Sequence, residues 1–193
     1  MATINHIKDI NIRGWDGSGN APINIDKSTR AQTTIGYEHH EIHAGSHFFI
    51  ENFGTFASGS AIIIAARTSA TTKFPHVLFS VQANGPFELR LYGSGSAFTG
   101  GTTITAINNN QSINNPSVTH LVANPTIETL GQTIFATKLG ASGLGASTLA
   151  GGRNARDDEI VLAPNSSYIW HIFSHDANVV INYKGNWYEH TDK

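Results

Sequence analysis

Four of the ten histidines fall inside one short run, His39-His40-Glu41-Ile42-His43-Ala44-Gly45-Ser46-His47, which leads directly into Phe48-Phe49-Ile50. Imidazoles this dense can ligate a metal, perform acid–base chemistry, or form a hydrogen-bonded layer in a β-fold. On an extended strand, His39, Glu41, His43, Gly45 and His47 would share one face, and His40, Ile42 and Ala44 the other. A zinc or iron site would then use His43 with His47 or His39, and Glu41 as the carboxylate.

Metal-dependent enzymes of the cupin type do place a His-X-His and a Glu on such a strand. They also need a second Gly/Pro/His block downstream, and the surroundings of His120, His171 and His175 supply none at that spacing. Gly143-Leu144-Gly145 is not followed by Lys-Ser/Thr, and Gly93-Ser94-Gly95-Ser96 lacks a strand–turn–helix setting, so neither a phosphate loop nor a serine nucleophile is expected. The expectation is therefore structural. The histidines are satisfied by neighbouring strands and turn backbone, Gly45 permits a sharp reversal, and Phe48 and Phe49 fill the core edge, with no cofactor, no metal and no catalytic residue.

The elements that position this block read as strands. Nearly every apolar stretch is short, rich in β-branched or aromatic residues, and bounded by Gly, Asn, Pro or Ser. The clearest are 33–43, 47–53, 61–67, 76–83, 87–92, 102–107, 117–121, 132–139, 159–162, 168–174 and 178–188. Ile62-Ile63-Ile64 suits a buried strand better than a helix. Asn84-Gly85 and Lys184-Gly185-Asn186 read as tight hairpin turns. Gly93–Gly101 and Gly140–Gly152 read as long Gly/Ser-rich loops. The fold class expected is all-β, an antiparallel β-sandwich of jelly-roll type. Residues 31–193 form one domain. Residues 1–30 read either as an extended N-terminal arm able to pair with a sheet edge or as ordinary first strands.

Composition narrows the partners. The chain has 193 residues, of which 39% are hydrophobic and only 13% charged, with a formal net charge of −2. Few charges mean little desolvation at a contact, which suits a protein covered by partners. Lys and Arg are not clustered, so nucleic acid is not an expected partner. No apolar run of about 18 residues occurs, so no membrane span is expected. Cysteine is absent, which removes disulfides and thiolate sites.

Several separated blocks resemble structural proteins of tailed bacteriophages. One is Ile35 to Phe48, containing the histidine run. A second is Asn108-Asn109-Asn110-Gln111-Ser112, where the group often carries Arg at the position of Gln111. The last two are Asp158 to Tyr168, with Glu159 and Pro164 inside it, and Asn186-Trp187-Tyr188-Glu189-His190. The resemblance is to capsid decoration proteins, the cement or staple proteins of short-tailed phages, and spans about 150 residues. It implies a β-sandwich without enzymatic activity, located on the capsid exterior of the virion after synthesis in the host cytoplasm. The implied partners are the major capsid protein and further copies of the chain, as homodimer or homotrimer. Its motif residues here are His39, His40, Glu41, His43, Gly45, His47, Phe48, Asn110, Glu159, Pro164, Tyr168, Trp187, Tyr188 and Glu189, in structural roles. Two alternatives stay open: a tail-associated position, and a lectin-like module binding a host glycan through Trp15, Tyr92 or Trp170. Trp187 is expected in the core, sharing the parity of Val179, Ile181 and Tyr183 if Gly185 keeps the strand regular.

Overall fold

A computed structural model describes residues 13–15, 20–22, 37–140, 150–151 and 158–191. The chain divides into two units, Met1–His40 and Glu41–Lys193. In the first, β1 (Arg13–Trp15) pairs antiparallel with β2 (Asn20–Pro22), Trp15 opposite Asn20. The remainder of the expected arm lies outside the described residues.

One helix, α1 (Tyr37–Ala44), precedes a series of strands. These are β3 (His47–Phe56), β4 (Ala61–Arg67), β5 (Lys73–Ala83), β6 (Phe87–Gly93), β7 (Ala97–Thr99), β8 (Thr102–Ile104), β9 (Ile107–Asn108) and β10 (His120–Ala123). After them come β11 (Thr126–Thr129), β12 (Gln132–Leu139), β13 (Ala150–Gly151), β14 (Ile160–Val161), β15 (Ser167–Ser174) and β16 (Val179–Thr191). One sheet has the order β12-β6-β15-β4-β10-β8; the other runs β13-β5-β16-β3-β9, with β14 also on β5. All pairings are antiparallel.

The two sheets share a core because strands such as β5 and β16 alternate buried and more exposed positions, and the apolar sets face each other. Phe48 and Ile50 of β3, Val77, Phe79 and Val81 of β5, and Ile181 and Trp187 of β16 pack with Ile62 and Ile64 of β4, Leu89 and Leu91 of β6, and Trp170 and Ile172 of β15. A smaller cluster lies on the opposite side of the first sheet, where the β7-β11 ribbon lays Phe98 and Ile127 against Ala65, Tyr92, Val122 and Ile169. Arg67 fastens that ribbon by donating to the Phe98 carbonyl and stacking 4.5 Å above its ring.

Four local expectations are corrected. The segment expected as strand 33–43 ends in helix α1. Its residues 37–44 contain only one β-branched side chain, Ile42, and the helix is closed by a Schellman motif in which Gly45 N donates to Ile42 O and Ser46 N to Glu41 O. Lys184-Gly185-Asn186 is not a hairpin but the middle of β16, paired without interruption to both β3 and β5. Glycine stands there for packing: a Cβ at Gly185 would sit 3.2 Å from the Phe79 ring and 3.3 Å from Ile50. Asn84-Gly85 joins strands of different sheets, and neither residue adopts a positive φ. Asn84 instead holds the crossover by accepting from Val180 N at 2.7 Å. Finally, Gly93–Gly101 is not a plain loop, since it contains β7 and buries Phe98. Of Gly140–Gly152, residues 141–149 and 152 lie outside the described residues, while Ala150–Gly151 form β13.

Candidate functional site

Helix α1 redistributes the histidine run. His39, His40 and His43 are exposed, whereas Glu41 is 5% and His47 3% accessible. The shared strand face expected for His39, Glu41, His43 and His47 does not form, because a helix turns successive residues by roughly 100° instead of alternating them. Glu41 turns inward and accepts from the Ser46 hydroxyl just past the cap. Among the described residues no group of three or more His, Asp or Glu is placed to hold a metal ion.

The separated motif blocks meet at this end of the second unit. Asn108 Nδ2 donates to Gly45 O at 2.8 Å, Asn110 Nδ2 to His43 O at 3.2 Å, and Asn109 Nδ2 to His47 Nδ1 at 2.7 Å. The Asn-rich segment thus caps the carbonyls that a helix C-terminus leaves unpaired. Asn110 also folds its own loop, its Oδ1 accepting from Ser112 N and Oγ. The His47 ring lies near-parallel to Tyr188, and Tyr188 stacks on His76 with centroids 4.5 Å apart. Glu159 closes this row, its Oε1 accepting from His76 Nδ1 and Tyr188 Oη, each at 2.8 Å. Further along, Tyr168 Oη accepts from Ala163 N at 2.9 Å and the Pro164 carbonyl from Ser166 Oγ at 3.0 Å, which shapes the turn between β14 and β15.

Glu189 is the most connected member. It has the inward parity of Tyr183 and Trp187, so the strand that carries the core also points a carboxylate inward, 3% accessible. Its oxygens accept from Ser117 Oγ, the backbone N–H groups of Val118 and Thr119, Thr119 Oγ1, and Trp187 Nε1. Its own N–H donates to Ser46 O at 2.9 Å. One residue, through its carboxylate and its backbone N–H, therefore ties the 117–119 segment, β16 and the α1–β3 turn together. Beside it opens a cleft of about 510 Å³, bordered by Gly45, Ser46, Lys73, Pro116, Glu189 and His190.

Gly45 is the position where a side chain is least tolerated in the motif. Its φ is +71°, and a Cβ would lie 2.8 Å from Ile113 Cγ2. Gly45→Ala is expected to destabilise the fold by about 1–3 kcal/mol through left-handed strain and that contact. Chemical denaturation checks this, and an unchanged midpoint would remove the cap from the account.

No protein-family model, no curated protein and no solved structure matches the chain.

Of the aromatics considered for sugar stacking, Tyr92 and Trp170 are buried, at 6% and 3% accessibility, and Trp15 has no described side chain. A different set is available. On the outer side of β6 and β15, Glu88, Arg90, His171 and Phe173, with His175 just beyond, line a groove of about 340 Å³. Glu88 pairs with Arg90 Nε and, at 3.2 Å, with His175 Nε2. Burial pushes the Glu88 carboxyl up, but the bonds and charges of Arg90 and His175 hold it below its ordinary value. Burial, helped by the charge of Arg90, lowers the His171 imidazole below its ordinary value. The sequence carries two signals of this set: Glu88-x-Arg90-x-Tyr92 and His171-x-Phe173-x-His175 place polar and aromatic types at every second residue of otherwise apolar strands.

Proposed function

We propose that this protein is a non-enzymatic structural protein of a tailed-phage virion, which decorates the capsid and stabilises it by bridging neighbouring major capsid protein subunits. The observation that carries the reading is that the motif residues are hydrogen-bonded within the fold. Glu189, Glu159, His47 and the Asn108–Asn110 segment direct hydrogen bonds at backbone groups and at neighbouring side chains, among them Ser117, Thr119, Trp187, His76 and Tyr188, as residues do that fix a shape. A general acid or base, by contrast, keeps a lone pair or proton directed at a substrate.

The strand order supports a jelly roll within that reading. Strands β3, β4, β5 and β6 alternate between the two sheets, and β16, β15, β14 and β12 return alongside them as partners in reverse order. Such an order is the one expected of a long hairpin rolled upon itself, the double Greek key. A chain in which only 13% of the residues are charged favours burial against partners at low desolvation cost.

The test uses particles. Capsids assembled without this protein are expected to release DNA at lower temperature, and adding the purified protein should restore the transition in a saturable manner, since a ligand at 100 times its Kd contributes about 2.7 kcal/mol. Equal robustness with and without the protein would end the proposal. A chain lacking residues 1–30 is expected to remain folded and to lose capsid binding if those residues act as an arm.

A further inference from the structure

Among the described residues, the outer face of the first sheet is covered over part of its area only. The β7-β11 ribbon shields Tyr92, Ile169, Ala65 and Val122. Beyond that cover, the face opens into the 340 Å³ groove, whose rim carries Leu130 at 48% accessibility. Two strands present their groups in register, Arg90 opposite His171 and Glu88 opposite Phe173.

We propose that this groove binds a neutral pyranose saccharide, with Phe173 as the apolar surface for the sugar's C–H face and Glu88, Arg90 and His171 as hydrogen-bonding partners of its hydroxyls. Charge balance selects the ligand class. Glu88 and Arg90 neutralise each other in the groove, so a phosphate or a uronate would have to compete with a carboxylate already bound to the guanidinium. A neutral polyol meets no such opposition. It needs acceptors and donors side by side, and the pair supplies both.

The pair also has unused capacity. A carboxylate accepts roughly four hydrogen bonds and a guanidinium donates about five. Here Glu88 receives one from Arg90 and one from His175, and Arg90 directs a second bond, at 3.4 Å, to Tyr92 Oη. The His171 imidazole makes no hydrogen bond to any described residue. Burial and the charge of Arg90 lower its pKa, and the neutral ring offers one donor and one acceptor. Phe173 is flanked by His175 at 5.0 Å, edge-on, and by His171 at 6.3 Å, so the ring is held in place before any ligand arrives. A volume of 340 Å³ sits at the lower end of the range for small-molecule sites, the scale of one or two sugar rings.

This inference does not depend on the capsid reading, and particle stability is silent on it. Saturation-transfer NMR on the full chain tests it, with the methyl glycosides of glucose, galactose and mannose and with N-acetylglucosamine, against glucuronate and galacturonate. Transfer to the ring protons of at least one neutral sugar at millimolar concentration is expected, with weaker transfer to the uronates. Phe173→Ala and Arg90→Gln should each weaken binding about tenfold or more. Arg90 has 46% of its side chain exposed, so Arg90→Gln should keep the wild-type melting temperature, and its loss of binding would then not reflect unfolding. No transfer from any neutral sugar, a preference for the uronates, or undiminished binding in both variants would each overturn the proposal.

Discussion

Glu189→Ala is expected to destabilise the protein by about 3–5 kcal/mol, as found when one member of a buried, hydrogen-bonded polar group is removed. The deletion leaves the Val118 and Thr119 N–H groups, two hydroxyls and the Trp187 indole facing an emptied space, and each orphaned buried donor costs about 1–3 kcal/mol before relaxation or entering water offsets part of it. Glu189→Gln should cost less, because it preserves volume and one acceptor while turning an NH2 group toward donors. Urea denaturation of the three proteins measures both, with the slope held against the midpoint to exclude a changed unfolded state. A wild-type midpoint for Glu189→Ala would mean that water already serves these donors and that the carboxylate is not the tie it is taken to be. For a chain of this size the expected loss corresponds to a fall in Tm of roughly 10 °C.

Trp187→Ala is the second large effect, again about 3–5 kcal/mol, but by a different route. Trp187 is 4% accessible and lies against Phe48 with ring centroids 5.9 Å apart, so truncation opens a cavity between the sheets. The same change removes the indole donor to Glu189. The two substitutions therefore share a contact, and their combined cost should fall short of the sum by about 0.5–3 kcal/mol. Strict additivity in that cycle would show that the indole–carboxylate bond contributes nothing. Trp187→Phe should recover part of the packing and none of the hydrogen bond, which separates the two contributions.

Both sites were within reach of the sequence to different degrees. Trp187 follows from parity alone: Val179, Ile181, Tyr183 and Trp187 alternate on one strand and all are buried. Glu189 continues the same parity, yet a carboxylate at an inward position reads as a strand end until the four donors of Ser117, Val118 and Thr119, contributed from 70 to 72 residues away, are seen. The histidine run was harder. Glu38 to Ala44 has neither the β-branched density of a strand nor an apolar stripe of helical period, and the choice was made by the Gly45 cap and by asparagines from residues 108–110 that satisfy the end of the helix. The groove on β6 and β15 shows the opposite case, where the alternation was legible in each strand separately. Only the pairing of Arg90 with His171 and of Glu88 with Phe173 turned two patterns into one surface.

Alone, the chain's order of residues determined the all-β class, the extents of β4 and β12, and the burial of alternate positions on β16. These depend on side-chain parity and β-branching, which act between near neighbours along the backbone. Tertiary structure alone decided that Gly185 lies within a strand, that Asn84-Gly85 passes between sheets, and that four distant motif blocks share one polar end. Each of those outcomes is set by a partner far away in the chain: the Phe79 ring and Ile50 that leave no room at Gly185, the β16 backbone that holds Asn84, and the 117–119 segment that saturates Glu189. A local pattern carries no term for contacts that exist only after the sheets have closed on each other.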